Sequence, residues 1–524
     1  MKINIQKVLL LLAVVAIGAG CKKNFQELYE NPNKPTVVPP SLLLNSIMNN
    51  MLEAPGGQLD RTNQYQLQNN SYFGNNQYNF GAGSNLYSTL TDVANMEALA
   101  QTAGAAELNP YHALGKFFRA YFFTKMSLQM GDIPMSEALK GSELLKPVYD
   151  PQKMVFLNSL KLLEEANADL AALIAQHNTA LSGDMYFSNN LLAWQRIVNT
   201  YRLRLLIHLS RKTSDTDLKV AQQFAEIVAD PVKYPVLLSS SNDLIYTWLN
   251  PTNRYPLNKE TFANGALNNS ADTYVSLLTA HKDPRVFITT DPAPGLVAAG
   301  SSPVDFSSFQ GGDIGLDMGV LASQNGGGKL SYINRYRYFS GYTGEPTAII
   351  GYTEMCFNIA EAINRGWLVN GPLGNAEAYY NAGIKSSMAF YHIPETGTMT
   401  VYSLPLGVPV SGPYVSNTVT VNYNEFYAQP AVKYAGDNAA GIRQIVEQKY
   451  IAFFLNSGLE PYFNWRRTGF PVFKTGVGTG NNGKIAMRYK YPAAEQSANT
   501  ANYNAAIAQY NQVDDVNGIM WILK

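Results

Sequence analysis

The chain has 524 residues, with 39 Lys and Arg balanced by 39 Asp and Glu, and only 15% of its residues are charged. This neutrality excludes the basic footprint of a nucleic-acid-binding protein and the polybasic patch that holds a protein to an anionic membrane surface. A hydrophobic share of 46% is ample for a large core, 33 tyrosines favour uncharged polar ligands, and two cysteines build no disulfide framework.

The first residues read as an export signal. Lys2 and Lys7 precede the apolar run 8–17, and Gly18, Ala19 and Gly20 lead to Cys21. A basic start, a short apolar run and small residues before a cut define a secretory signal. The run is shorter than the roughly 20 apolar residues a membrane-spanning helix needs. A cysteine directly after the small residues resembles a bacterial lipobox, with Gly18 where the common pattern has Leu. The expected organisation is a signal peptide over 1–20, a tether over 21–40 lipidated at Cys21, and one α-helical domain over 41–524. Cys356 then has no disulfide partner.

After the proline-rich tether, Leu43, Leu44, Ile47, Met48, Met51 and Leu52 recur at helical spacing, with Ser41 as the expected cap. Amphipathic patterns follow over 112–130, 153–175, 191–212, 218–229, 271–281, 352–367, 376–391 and 442–455. Helices of this length in loose pairs predict a mainly α fold with tetratricopeptide-like units near 112–175, 191–229 and 352–391. The long intervening stretches 291–346 and 396–438 are rich in aromatic residues, which favours packed, ordered loops.

Local catalytic and metal motifs are missing from the sequence. The five histidines (112, 177, 208, 281, 392) form no HExxH, and no GxSxG elbow occurs. No metal or cofactor is expected. Glu164-Glu165 reads as a solvated helix face. Gly478, Gly480 and Gly483-Lys484 imitate a phosphate loop, but Ile485 stands where a magnesium-binding Ser or Thr belongs and no apolar helix follows, so a flexible surface turn is expected. Trp465-Arg466-Arg467 reads as a structural knot of guanidinium groups on rings and carbonyls.

One segment has ligand-binding chemistry. Residues 62–91 carry no charge and interleave Tyr65, Tyr72, Phe73, Tyr78, Phe80 and Tyr87 with eleven Asn and Gln side chains, Asn76 among them. Aromatic faces accept the C–H faces of sugars, and neutral amides match rings of hydroxyls without the desolvation cost of a charge. The other reading is a loop whose tyrosines pack on the scaffold. Trp248, before Asn250-Pro251, and Tyr342, after Gly341, lie in loop-like contexts and extend the candidate set to Tyr72, Asn76, Tyr78, Tyr87, Trp248 and Tyr342.

The order of several short strings resembles the SusD/RagB family of Bacteroidetes outer-membrane lipoproteins. They are Cys21 in its lipobox, Asn31-Pro32-Asn33-Lys34-Pro35-Thr36, Phe118-Arg119-Ala120-Tyr121-Phe122-Phe123, Met130-Gly131-Asp132-Ile133-Pro134-Met135, and Trp194-Gln195-Arg196 leading to Arg202-Leu203-Arg204-Leu205. Tyr352-Thr353-Glu354, Ala360-Glu361-Ala362, Gln448-Lys449-Tyr450-Ile451-Ala452, Asn464-Trp465-Arg466-Arg467 through Pro471, and Tyr491-Pro492 with Glu495 and then Asn502-Tyr503-Asn504 follow. The resemblance implies a helical, non-catalytic, lipid-anchored protein on the cell surface. It would act as a lid over a SusC-type TonB-dependent outer-membrane transporter and capture an oligosaccharide or other neutral polar nutrient. No binding residue carries over, because these strings are scaffold. Two alternatives stand beside this reading: a surface glycoside hydrolase, and a transporter scaffold that binds no ligand.

Overall fold

The computed structural model describes residues 38–524 except Phe73 and Val410; the expected signal peptide, Cys21 and the expected tether up to residue 37 lie outside the described residues. The principal helices are α1 (Pro40–Asn49), α2 (Tyr87–Thr102), α3 (Pro110–Met130), α4 (Gln152–Ala175), α5 (Leu191–His208), α6 (Val220–Ala229), α7 (Asp272–Ala280), α8 (Tyr352–Asn364), α9 (Ala376–Phe390), α10 (Ala439–Ala452) and α11 (Glu460–Thr468). The helices expected from apolar periodicity are present, with ends shifted by a turn at most. Helix α1 starts at Pro40, one residue before the expected cap, because proline suits the first helical position. Helices α2 and α11 arise where periodicity gave no signal. Among the described residues no helix is long and apolar enough to cross a membrane.

Asparagine opens several helices. Asn109 accepts hydrogen bonds from the Tyr111 and His112 amides, Asn190 from Ala193, Asn375 from Ala378, and Asn438 from Ala440 and Gly441. Each side-chain oxygen satisfies an amide that no helical carbonyl reaches. Part of the asparagine content is therefore structural.

Helices pack as α3 on α4, α4 on α5, α5 on α6, and α8 on α9. The three sequence-derived pairs are therefore present. Helix α3 is buried almost all round, whereas α4 buries one stripe, Val155, Phe156, Leu160, Leu163, Ala166, Leu170 and Leu173. That difference places α3 inside the array and α4 at its surface. Phe117 and Phe118 each approach Trp194 to 5.8 Å between ring centres, and the Trp194 indole donates to Asp184 at 3.0 Å.

Among the described residues, three two-stranded antiparallel sheets lie outside the helices. Strand β1 (Gln66–Gln68) pairs with β3 (Asn268–Ser270), β2 (Leu244–Tyr246) with β4 (Thr347–Ile350), and β5 (Thr396–Ser403) with β6 (Val415–Asn422). The β5–β6 hairpin buries Met399, Val401, Val419 and Val421 and exposes Thr398, Thr400, Thr418 and Thr420, the period-2 pattern of a half-buried sheet.

A buried ionic network ties α8 to α5, α10 and α11. Glu354, Asn358 and Glu361 recur at i, i+4 and i+7 on α8, so one face of that helix presents polar groups to the interior. Both Glu354 oxygens accept from Arg204 of α5, whose Nη2 also donates to the Ile349 carbonyl at 2.7 Å. Both Glu361 oxygens accept from Arg467 of α11. Lys449 of α10 donates to Asn358 at 2.7 Å and to Asn464 at 3.2 Å. Burial pushes the Glu361 carboxyl up, but Arg467 and Arg365 outweigh it and bring it down to about 2. Burial pulls Lys449 down to about 8 despite the Glu354 carboxylate. Glu164 and Glu165 keep partly exposed positions on the outer face of α4, where Glu164 accepts from Arg202 and from the Tyr234 hydroxyl at 3.0 Å.

Removing one partner of a buried pair leaves the other charge uncompensated and costs about 3–5 kcal/mol. Glu361→Gln should lower the urea midpoint of unfolding correspondingly at pH 7. The folded carboxyl titrates near 2 and the free one near 4.5, so its contribution is complete above pH 4.5 and fades as pH falls toward 2. The gap between wild-type and variant midpoints should narrow over that interval; a constant gap would show that the carboxylate charge is not its source.

Candidate functional site

The uncharged segment 62–91 is held at its base by aromatic stacking. Tyr65 stacks on Tyr450 of α10 with ring centres 4.6 Å apart, and its hydroxyl donates to the Tyr450 carbonyl at 2.6 Å. The Tyr450 hydroxyl in turn reaches the Asn63 and Gln64 carbonyls at 2.9 and 3.0 Å. Asn76 then closes the loop. Its side-chain oxygen accepts from the Gln68 amide at 2.7 Å and its amide donates to the Gln68 carbonyl at 2.9 Å. The asparagine thus imitates a paired strand residue.

From Asn75 onward the side chains alternate. Asn76, Tyr78 and Phe80 face inward and are buried, while Asn75, Gln77 and Asn79 face out. The Tyr78 hydroxyl donates to the Thr62 carbonyl at 2.8 Å, and burial pushes its phenol above the usual range. Phe80 stacks on Tyr489 at 4.2 Å. The outward row, with Asn70 and the 86%-exposed Tyr72, forms an uncharged amide ledge. Asn79 accepts from the Asn481 amide at 2.9 Å, and the Asn481 and Asn517 side chains exchange hydrogen bonds at 2.8 and 2.9 Å. The ledge therefore continues into the 478–484 segment. That segment is not the flexible turn expected from sequence. The Gly478 amide donates to the Gly315 carbonyl at 3.0 Å, and a Cβ there would collide with the Leu316 and Ile314 carbonyl oxygens. Its glycines admit close backbone packing rather than a phosphate.

The six sequence-derived residues do not share one surface role. Tyr72 lies on the ledge. Asn76 and Tyr78 are locked beneath it. Trp248 is buried, edge-on to Tyr246 and Tyr255 at 5.0 and 5.6 Å, with its indole donating to Thr347 at 3.0 Å. The expectation of exposed rings therefore does not hold for Tyr78 and Trp248, whose polar ends complete the framework. Tyr342 is half-buried and covered by Arg254 and Lys259, at 4.3 and 4.4 Å from its ring centre, and its hydroxyl donates to Glu260 at 3.2 Å. Tyr87 opens α2, donates to the Pro134 carbonyl at 2.7 Å, and lines a cleft with Tyr149 and Tyr491.

An aromatic pair escaped the sequence reading. Tyr336, 39% exposed, stacks on Tyr402 with ring centres 3.9 Å apart, and Tyr414 meets Tyr336 edge-on at 5.3 Å. The pair heads a groove of about 450 Å³ along β5 that also takes in Asn334, His392, Thr398 and Thr400. The alternating hydroxyl residues from Thr396 to Tyr402 were the available signal. Of the other motifs, Trp465-Arg466-Arg467 is structural as expected. Arg466 donates to the Met487 and Leu128 carbonyls at 2.7 and 2.6 Å, and Trp465 stacks on Phe473 at 4.9 Å. Among the described residues no cluster of three His, Cys, Asp or Glu side chains could hold a metal ion.

Comparison with known families matches residues 32–492 to the SusD-like family described as starch-binding and associating with the outer membrane. The chain belongs to this SusD-like family. A SusD homologue from Bacteroides fragilis superposes with a TM-score of 0.79 at 27% identity, over 93% of this chain and 100% of the other. A second from the same species gives 0.76 at 28% identity, over 93% and 99%. A chitin-binding SusD homologue from Flavobacterium johnsoniae shares the fold, with a TM-score of 0.68 at 19% identity over 93% and 98%. Comparison with curated proteins gives no match.

The placements separate frame from surface. Trp248→Ala should cost about 3–5 kcal/mol as a large buried ring is lost. Asn76→Ala should cost about 1–3 kcal/mol, because two buried backbone groups lose their partners. Tyr72→Ala should change stability by no more than about 0.5 kcal/mol. Thermal melts of the three variants test this order, and a large loss for Tyr72→Ala would put that ring in the framework.

Proposed function

We propose that this protein is a cell-surface, lipid-anchored nutrient-binding protein that captures a neutral oligosaccharide at the amide ledge and delivers it to a SusC-type TonB-dependent transporter as a lid. Membership of a starch-binding, outer-membrane-associated family carries the reading. The chemistry of the ledge supports it, since Asn70, Asn75, Gln77 and Asn79 offer donors and acceptors to hydroxyls beside the exposed Tyr72 ring. The chitin-binding activity of the Flavobacterium homologue makes an oligosaccharide a reasonable first ligand.

The distribution of carboxyl groups disfavours the hydrolase alternative. Burial raises Asp60 to about 6 and Asp243 and Asp291 to about 7, values suited to proton transfer. Yet Asp60 accepts from the Gly56 amide and Asp243 from the Tyr352 amide, and Asp291 is fully buried against the Arg335 amide. None stands on the ledge or in the β5 groove. The proposal therefore assigns the protein no catalysis.

Three experiments test the reading. Purification from outer membranes in mild detergent should recover a large β-barrel transporter with the protein, and Cys21→Ala should abolish both fatty-acid labelling and membrane retention. Loss of the barrel while free barrels remain in the input would remove the lid role, and a Cys21→Ala protein that stays on the membrane would remove the lipid anchor. On a neutral oligosaccharide that the wild type binds, Tyr72→Ala should weaken affinity about tenfold, since a stacked ring contributes roughly 1–3 kcal/mol by analogy with nucleobase platforms and ~1.4 kcal/mol is a factor of ten. Unchanged affinity by calorimetry would move the site off the ledge.

A further inference from the structure

The cleft beside Tyr87 differs chemically from the ledge. Its volume is about 360 Å³, within the range of about 300–1,000 Å³ that small-molecule sites occupy. Tyr87, Tyr149 and Tyr491 form its aromatic walls, with prolines 134, 147 and 492 between them. Tyr149 and Tyr491 meet edge-on at 5.2 Å, which holds both rings in fixed orientation. Ser84, Asn85 and Thr91 add neutral polar groups on the α2 side.

Glu495 is the one charged residue in the wall. Its side chain is half-buried, and Oε2 accepts from the Tyr149 hydroxyl at 2.8 Å. No basic side chain among the described residues pairs with it, unlike the carboxylates of Glu354 and Glu361 in the core. Asp150 lies behind the same wall and accepts from the Met135 and Ser136 amides, each at 2.8 Å, so it adds a second negative charge and no cation. Burial, then the charges of Glu495 and Asp150, push the Tyr87 phenol above its usual range, which puts all three groups within one electrostatic neighbourhood. A carboxylate with no ion-pair partner among the described residues, in the wall of an aromatic cleft, attracts a cation whose carrier has an apolar face.

We infer that this cleft is a second ligand site, selective for a sugar residue that carries a free, protonated amine. The ring's C–H face lies against the tyrosines, its hydroxyls meet Ser84, Asn85 or Thr91, and its ammonium pairs with the Glu495 carboxylate. This rests on the oligosaccharide-capture reading above, but it names a different site and a different charge class.

Calorimetry at pH 6 with a glucosamine tetramer and an N-acetylglucosamine tetramer tests it on the full-length protein. Wild type should bind the amine form, with affinity falling as salt is raised. Glu495→Gln keeps an acceptor for Tyr149 and removes the charge, so it should weaken binding of the amine form tenfold or more, leave the acetylated form unaffected and leave the melting temperature unchanged. Tyr72→Ala should not alter binding of the amine form. Absence of binding by the glucosamine tetramer, equal affinity for wild type and Glu495→Gln, or tighter binding of a lysine tripeptide than of the tetramer would each overturn the assignment. The acetylated tetramer reports on neutral-glycan capture separately, so failure of that reading is visible apart from failure of this one.

Discussion

The structure depends on charges placed where water cannot reach them. Helix α8 carries Glu354, Asn358 and Glu361 on its inward face, and α5, α10 and α11 each bring a cation to it. Removing a buried ion from water costs several kcal/mol, so each cation requires its partner in place and each partner fixes a helix. Apolar packing alone would allow these helices to slide or rotate against one another with modest loss. The paired guanidinium–carboxylate forks do not, because each demands one orientation. Arg285 repeats the device beside α7, donating to Asp283, to Ser387 of α9 and to Gln448 of α10.

This constraint explains why short, degenerate strings were enough to reveal the family. Arg202-Leu203-Arg204-Leu205, Tyr352-Thr353-Glu354, Ala360-Glu361-Ala362, Gln448-Lys449-Tyr450 and Asn464-Trp465-Arg466-Arg467 are the network residues and their neighbours. Charged residues inside otherwise apolar helices are conspicuous in a sequence, whereas the leucines and phenylalanines around them are interchangeable. Helix positions were legible for a different reason: apolar side chains recur every 3.6 residues on α4 and its like. Helix α11 was not legible, because Glu460, Arg466 and Arg467 are charged yet buried, which inverts the usual pattern.

The candidate site was legible only in part. Composition marked 62–91 correctly as uncharged and aromatic, but composition does not say which way a side chain points. Alternation of buried and exposed side chains settles that for Asn75 to Phe80 only in the folded chain. Trp248 lies in a loop, as its surroundings suggested, yet it is buried between Tyr246 and Tyr255, a long-range arrangement that no local pattern encodes. The Tyr336–Tyr402 stack was missed for the same reason, since its two rings come from positions 66 residues apart that meet only in the fold.

Alternation along the ledge also bears on how such a protein can diverge. Inward residues fix the path of the chain through Asn76, Tyr78 and Phe80, and outward residues meet solvent. The two sets interleave in sequence and face opposite ways. A change at Gln77 can therefore rewrite part of the pattern of donors and acceptors without breaking a bond to the framework, whereas Asn79 also holds the Asn481 amide. With capture at the ledge as proposed, ligand preference becomes a trait that selection can tune at the outward positions, while the inward residues keep the fold.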